Sequence, residues 1–297
     1  MAVASSSDES SSDDDGGGGE GEGEKKKKKR ISLHDRHFIA YEDRIRAYST
    51  PDKIFRYFAT LSIQEEDGSA HIFMTPEDFL RSITPGIIQP QGLGLDRFRS
   101  LHIEQWKKER SEVILDEASI FARLGHHGLI SFSDYLFLLT IISTPMRHFE
   151  IAFKMFDLNG DGEVDFKEFD KVRDVILSST SVGARHRDRL VTGNVAGGVG
   201  DALVEHFFGA DKKGKLTVEM FRSFHRLLRT ELLWLEFNRF DPEDGRISER
   251  DFAKMVLSYS DMNDQQRKKY MKRVKREYGD RKEGISFEDV QAFTELV

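Results

Sequence analysis

Six times along this chain an apolar residue opens a hexapeptide that usually continues with Ser, Thr or Asp, two variable residues, an acid and a hydrophobe. The copies are Met74–Phe79, Ile130–Tyr135, Val164–Phe169, Leu216–Phe221, Ile247–Phe252 and Ile285–Val290. Such a hexapeptide is the second half of a helix–loop–helix unit. Its apolar residue makes a short β pairing with a sister loop. The oxygen of the next residue accepts the orphan backbone N–H groups that open the exiting helix. Five of the six copies carry an acid at the fifth place, which chance capping boxes do not explain. The repeat predicts an all-α, mainly helical fold.

One copy completes a metal site. Asp157, Asn159 and Asp161 stand at positions 1, 3 and 5 of a twelve-residue loop, with Glu163 at 7, Asp165 at 9 and Glu168 at 12. Calcium is a hard cation that takes about six to eight oxygens at ~2.3–2.6 Å. The first three residues each offer one side-chain oxygen, Glu163 its backbone carbonyl, Asp165 an oxygen directly or through water, and Glu168 two. Gly162 at position 6 permits the sharp turn around the ion. An acidic solvated turn would not need Asn159, Gly162 and Val164 together. The loop is an EF-hand, and it predicts one Ca²⁺ site. Mg²⁺ is a possible competitor, because four carboxylates stand in the shell.

The flanks agree. Phe149, Ala152, Phe153 and Phe156 recur at helical spacing before the loop, and Phe166, Phe169 and Val172 after it. The chain therefore reads as an EF-hand helix–loop–helix array from about Pro51 onward, with short two-stranded β pairings between loops. The sister loops are disabled. Arg123–Asp134 has Arg123, Gly125 and His127 where the first three ligands belong. Gly209–Met220 has Lys213 at position 5 and Met220 at 12. Phe240–Asp251 has Phe240 and Pro242 at the first two ligand positions, and Tyr278–Asp289 loses positions 1, 5 and 6. These loops are expected to serve as structural partners, and Arg123–Asp134 is the expected partner of the intact loop. The other pairings stay open.

Composition narrows the function classes. The absence of cysteine excludes disulfides, thiolate zinc sites, iron–sulfur clusters and cysteine nucleophiles. A net charge of −7 argues against a nucleic-acid binder. No run of about 18 apolar residues occurs, so no membrane span is expected. Gly209–Lys215 mimics a phosphate-binding loop, but Leu216 stands where Ser or Thr must hold Mg²⁺. With ten scattered His and no nucleophile–base motif, enzymatic activity is not expected.

Four segments are expected. Residues 1–33 form a disordered tail, acidic and Gly-rich before the cations Lys25, Lys26, Lys27, Lys28, Lys29 and Arg30. Those cations suit docking to an acidic protein or an anionic lipid surface, with a solubilising charge block or a nuclear-localisation-like run as the alternatives. Residues 34–108 form an N-terminal helical domain with a degenerate EF-like unit. Residues 109–200 form a lobe with the intact loop and a Gly-rich linker, and 201–297 a degenerate EF-hand lobe. The Ser- and Asp-rich start shows neither a signal peptide nor a transit peptide.

Several stretches resemble the mitochondrial calcium uptake proteins, EF-hand gatekeepers of the mitochondrial calcium uniporter. They are Arg44–Leu61, Phe73–Phe79, Phe149–Asp157 and Arg185–Arg189, and the resemblance runs from about Tyr41 to the C-terminus. It implies a peripheral inner-membrane protein facing the intermembrane space, which occludes the uniporter pore at low calcium and releases it on calcium binding. It also implies that Arg44, Arg46, Tyr48, Lys53 and Arg56 meet the acidic ring of the pore subunit. The run Lys25–Arg30 would meet a small acidic accessory subunit or anionic lipid, and the protein would dimerise with itself or with a family paralogue. The family's second intact loop and C-terminal cysteine-bearing helix do not occur before Val297, so a C-terminally truncated member is expected. The alternatives are a structural EF-hand scaffold and a regulatory subunit of a cytosolic enzyme.

Overall fold

The computed structural model describes residues 33–64, 70–94, 97–112, 119–123, 128–157, 160–169, 171, 201–260, 262–279 and 283–296. The tail with its cations, the Gly-rich linker, Arg185–Arg189 and the side chains of Phe156 and Val172 lie outside what is described.

Helices α1 (Leu33–Tyr48) and α2 (Pro51–Phe58) lead the fold. Pro51 sits at the start of α2, where a missing N–H costs nothing. A three-stranded sheet follows, which the repeat does not announce. Strand β1 (Leu61–Gln64) lies between β2 (Ala70–Phe73), antiparallel, and β3 (Arg99–His102), parallel. Its alternation puts Leu61 and Ile63 inward against Leu129 and leaves Gln64 exposed.

The first hand exits into α3 (Pro76–Ile83), and α4 (Ile103–Glu112) follows β3. The second hand is flanked by α5 (Ile120–Arg123) and α6 (Phe132–Ser143). Helix α7 (Met146–Phe156) enters the third hand, whose strand is β4 (Glu163–Val164) and whose exit helix opens at Phe166. The fourth hand comprises α8 (Asp201–Phe208), β5 (Leu216–Thr217) and the long α9 (Val218–Asn238). That helix also enters the fifth hand, with β6 (Arg246–Ile247) and α10 (Glu249–Ser258). Helix α11 (Asp264–Tyr278), β7 (Ile285–Ser286) and α12 (Phe287–Leu296) form the sixth.

The hands pair in chain order. Met74 and Ile130 exchange two backbone hydrogen bonds of 2.9 Å. Val164 pairs with Leu216 and Glu163 with Thr217, and Ile247 pairs with Ile285. The expectation that Arg123–Asp134 partners the intact loop is therefore overturned: Ile130 is taken by the first hand, and the intact loop pairs with the fourth. Pairing from the first hand onward leaves none of the six loop edges open, whereas joining hands two and three would strand the outermost two. The β4–β5 ladder also joins chain on either side of residue 200, so a division there separates strands that pair.

One aromatic core runs through the first four hands, with Phe79, Phe121, Tyr135, Phe153, Phe169, Phe208 and Phe221 all buried. Phe237, Ile247, Met255 and Val290 form a smaller core for the last two. Helix α9 belongs to both, from Phe221 at one end to Phe237 at the other. Among the described residues no single helix is long and apolar enough to cross a membrane.

Candidate metal centre

The third loop is held by its own backbone. Asp157 caps α7 and then serves the loop: Oδ1 accepts from Asp161 N at 3.1 Å and Oδ2 from Gly162 N at 2.8 Å. Asp161 Oδ1 accepts from Glu163 N at 2.9 Å. Gly160 and Gly162 take φ of 71° and 78°, left-handed backbone that a side chain would strain even though nothing crowds the absent Cβ. The exit helix carries a reciprocal cap. Glu168 N donates to Asp165 Oδ1 at 2.8 Å, and Asp165 N donates to Glu168 Oε2 at 3.0 Å.

The same cap recurs in the sister hands. Thr75 with Asp78 and Ser131 with Asp134 form full capping boxes. Ser286 and Asp289 do likewise, and Ser248 accepts from Asp251 N at 3.1 Å. Thr217 accepts from Met220 N at 3.1 Å, but Met220 has no oxygen to return. The acid at position 12 thus has a folding role in hands that lack the other ligands. In the third hand Glu168 holds that role together with its place in the donor set.

Lys215, at position 7 of the fourth loop, reaches across the β4–β5 ladder. Its Nζ lies 2.7 Å from Glu163 Oε2 and 3.4 Å from Asp161 Oδ2. These contacts, with Glu163 first, raise the ammonium pKa above its ordinary value. Sequence reasoning passed over Lys215, since nothing local marks it. It becomes visible only once Leu216 is known to pair with Val164.

The donor chemistry fits calcium: Asp157, Asp161, Asp165 and Glu168 present carboxylate oxygens, Glu163 a carbonyl, and the glycines the turn. Asn159 lies outside the described residues. Among the described residues no three acidic or imidazole side chains converge closely enough to hold an ion. Glu168 caps its helix, Asp157 binds loop N–H groups and Asp161 faces Lys215. A bound ion would have to draw these oxygens from their present partners.

The positions implied for pore contact divide in two. Arg44 and Tyr48 are exposed at i, i+4 on α1, and Lys53 and Arg56 are exposed at i, i+3 on α2. Arg46 does not belong with them. Its side chain is 6% exposed, with the guanidinium 4.5 Å from the Phe58 ring centroid. It donates to Arg81 O at 2.9 Å and to Ile87 O, and pairs with Asp43 at 2.7 Å. Burial pulls its pKa down. Arg46 ties α1 to the α3 end of the domain and is a structural cation, not a surface one.

The EF hand family profile matches residues 149–172, the intact loop with both flanks. Calcium uptake protein 1, mitochondrial, of Danio rerio is 55% identical over 271 residues, covering 89% of this chain and 55% of that protein. The Homo sapiens protein of that name is 54% identical over 266 residues, covering 89% and 56%. The chain thus spans about half the length of these curated relatives. Among solved structures, EFHA2 in its calcium-binding state superposes with a TM-score of 0.55 at 27% identity, covering 83% of this chain and 76% of that one. The apo structure of the mitochondrial calcium uniporter protein MICU2 gives 0.53 at 26% identity, covering 83% and 67%. The EF-hand match and the calcium-binding neighbour support calcium binding here. Over 89% of its length this stretch of chain is thus homologous to the mitochondrial calcium uptake proteins.

Proposed function

We propose that this chain is a calcium-sensing regulatory subunit that gates the mitochondrial calcium uniporter, blocking the pore at low calcium and releasing it on calcium binding. One observation carries the reading: a complete oxygen loop at Asp157–Glu168 in a chain 55% identical to a mitochondrial calcium uptake protein over most of its length. The site holds a single ion through Asp157, Asn159, Asp161, Glu163, Asp165 and Glu168, and Mg²⁺ competes for it. Bound there, calcium supplies a compact divalent charge that rewards convergence of these oxygens.

The chain's own residues turn that reward into movement. To ligate, Glu168 leaves the Asp165 N–H and so frees the first turn of the exit helix. Phe166 and Phe169 ride on that turn, with ring centroids 5.7 and 5.3 Å from Phe208 and Phe169 5.7 Å from Phe137. A shift at Glu168 therefore reaches the shared aromatic core, which also packs against α2. Arg44, Tyr48, Lys53 and Arg56 form the pore-facing surface, because Arg and Lys offer several donors to carboxylates. Lys25–Arg30 contacts a small acidic subunit or anionic lipid. The protein performs no chemistry of its own, and works on the intermembrane-space side of the inner membrane, as a dimer with itself or with a paralogue.

The test is uniporter current with the parent chain and with Asp157→Ala/Glu168→Ala. Block by both, relieved by calcium only in the parent, is the expected result; equal calcium relief in both sinks the sensing mechanism. A structural scaffold is the second reading, favoured by the loop's closure through its own hydrogen bonds. Unchanged current with either chain would establish it.

A further inference from the structure

The charge inventory of the β4–β5 pair is lopsided. The third loop crowds Asp157, Asp161, Glu163, Asp165 and Glu168 into twelve residues, while the fourth presents Lys212, Lys213 and Lys215. Lys213 stays in its own loop, with its ammonium 3.8 Å from Asp211 and its side chain 83% exposed. Lys215 instead crosses to the third loop. The ladder enforces this, because Leu216 and Thr217 are pinned opposite Val164 and Glu163, and Leu216 is fully buried.

The two oxygens that Lys215 touches differ in kind. Asp161 is a side-chain ligand at position 5, whereas Glu163 gives the ion only its backbone carbonyl, so its carboxylate is free to hold a counter-charge. We propose that Lys215 is a tethered counter-cation of the calcium loop. The fourth hand, without a ligand set of its own, thereby stabilises the ion-free third loop and lowers its calcium affinity. This rests on the reading that Asp157–Glu168 binds calcium.

The physics has a definite sign. Without calcium, one ammonium relieves repulsion among clustered carboxylates. With calcium, Lys215 must leave Asp161, and it stays nearby as a like charge held by Glu163. Both effects oppose binding, and both are screened by solvent and salt because the side chain is 52% exposed. Removing the ammonium is expected to tighten calcium binding roughly threefold to tenfold at low ionic strength. The gain should shrink as salt shortens the Debye length to about 3 Å at 1 M.

The experiment is a calorimetric calcium titration of the full chain, the Lys215→Met and Lys215→Arg variants, and Lys213→Met as a control. The last makes the same change in net charge two residues away. Thermal unfolding in chelator accompanies each titration and shows that the variants fold. Expected are a tighter site in Lys215→Met, parent affinity in Lys215→Arg, a change under about twofold in Lys213→Met, and a lower calcium-free Tm in Lys215→Met. Binding in every chain with Lys215→Met no tighter than Lys213→Met overturns the counter-cation role and leaves the calcium reading standing. No binding in parent or variants overturns both. Binding in Lys215→Met alone supports the role in its strongest form.

Discussion

The third and fourth hands share one ladder, one core and one style of helix cap, but only the third carries a full set of calcium oxygens. In both, the residue at position 8 is fully buried, Val164 on one side and Leu216 on the other, and in both the residue at position 9 caps the exit helix. They part at positions 1, 5 and 12, where the fourth has Gly209, Lys213 and Met220, while its Asp211 still offers an oxygen at position 3. What a hand needs to fold is thus separable from what it needs to bind. A hand that has lost its ligands keeps its place by supplying an edge, a hydrophobe and, through Lys215, a charge.

The largest effect that tests this separation comes from the fourth hand, whose loop lacks a ligand side chain at positions 1, 5 and 12. Leu216→Ala should cost about 2–5 kcal/mol of stability in urea unfolding, and should weaken calcium binding although it removes no ligand. Unchanged affinity would mean that the third loop stands without its partner. Glu168→Gln should act in the opposite way. The amide oxygen still accepts the Asp165 N–H, so stability in chelator should hold, while calcium affinity falls at least about tenfold, or ~1.4 kcal/mol. A calorimetric titration beside a chelator melt separates the two outcomes.

A smaller effect repairs the fourth hand. Met220→Glu gives Thr217 the reciprocal acceptor found in the first, second, third and sixth hands, and should stabilise by about 0.5–1 kcal/mol. It should create no second calcium site, since Gly209 offers no side chain and Lys213 occupies position 5; a second binding isotherm would refute that.

The smallest effect lies at the far end of α9, where Glu236 accepts from Tyr259 Oη at 2.7 Å. Burial raises the Glu236 pKa above its ordinary 4.5, against the lowering influence of Tyr259 and Arg239. The folded chain therefore holds a proton that the unfolded chain has lost, and stability falls as pH rises from about 4.5 through the raised value. Glu236→Gln keeps the Tyr259 bond and removes that decline. Melts between pH 4 and 8 should show the variant gaining on the parent by about 1 kcal/mol or less above the window, with calcium affinity at the third hand unmoved.

Much of this was legible before any fold was known. The six hexapeptides announced helix caps, and the caps are there at Thr75, Ser131, Asp165, Thr217, Ser248 and Ser286. They are local features, in which a residue bonds a backbone group three places on, and local features are written in local sequence. The β1–β3 sheet was not announced, because strands of four residues carry only a brief alternation and β3 joins from more than thirty residues away. Arg46 is put on the pore-facing surface by the family resemblance alone, and nothing in the local sequence tells a guanidinium that meets solvent from one that meets the carbonyls of Arg81 and Ile87.

By itself the sequence determined that the chain is an array of helix–loop–helix hands and that one of them carries a complete set of calcium oxygens. Only the tertiary structure decided which hand pairs with which. The apolar residues of these pairings are Met74, Ile130, Val164, Leu216, Ile247 and Ile285, side chains of similar character and size. A two-residue ladder between such residues carries almost no specificity, so the choice of partner falls to the packing of whole helices around it. That packing set Lys215 beside Asp161 and Glu163, and so placed the fourth hand's charge on the third hand's calcium loop.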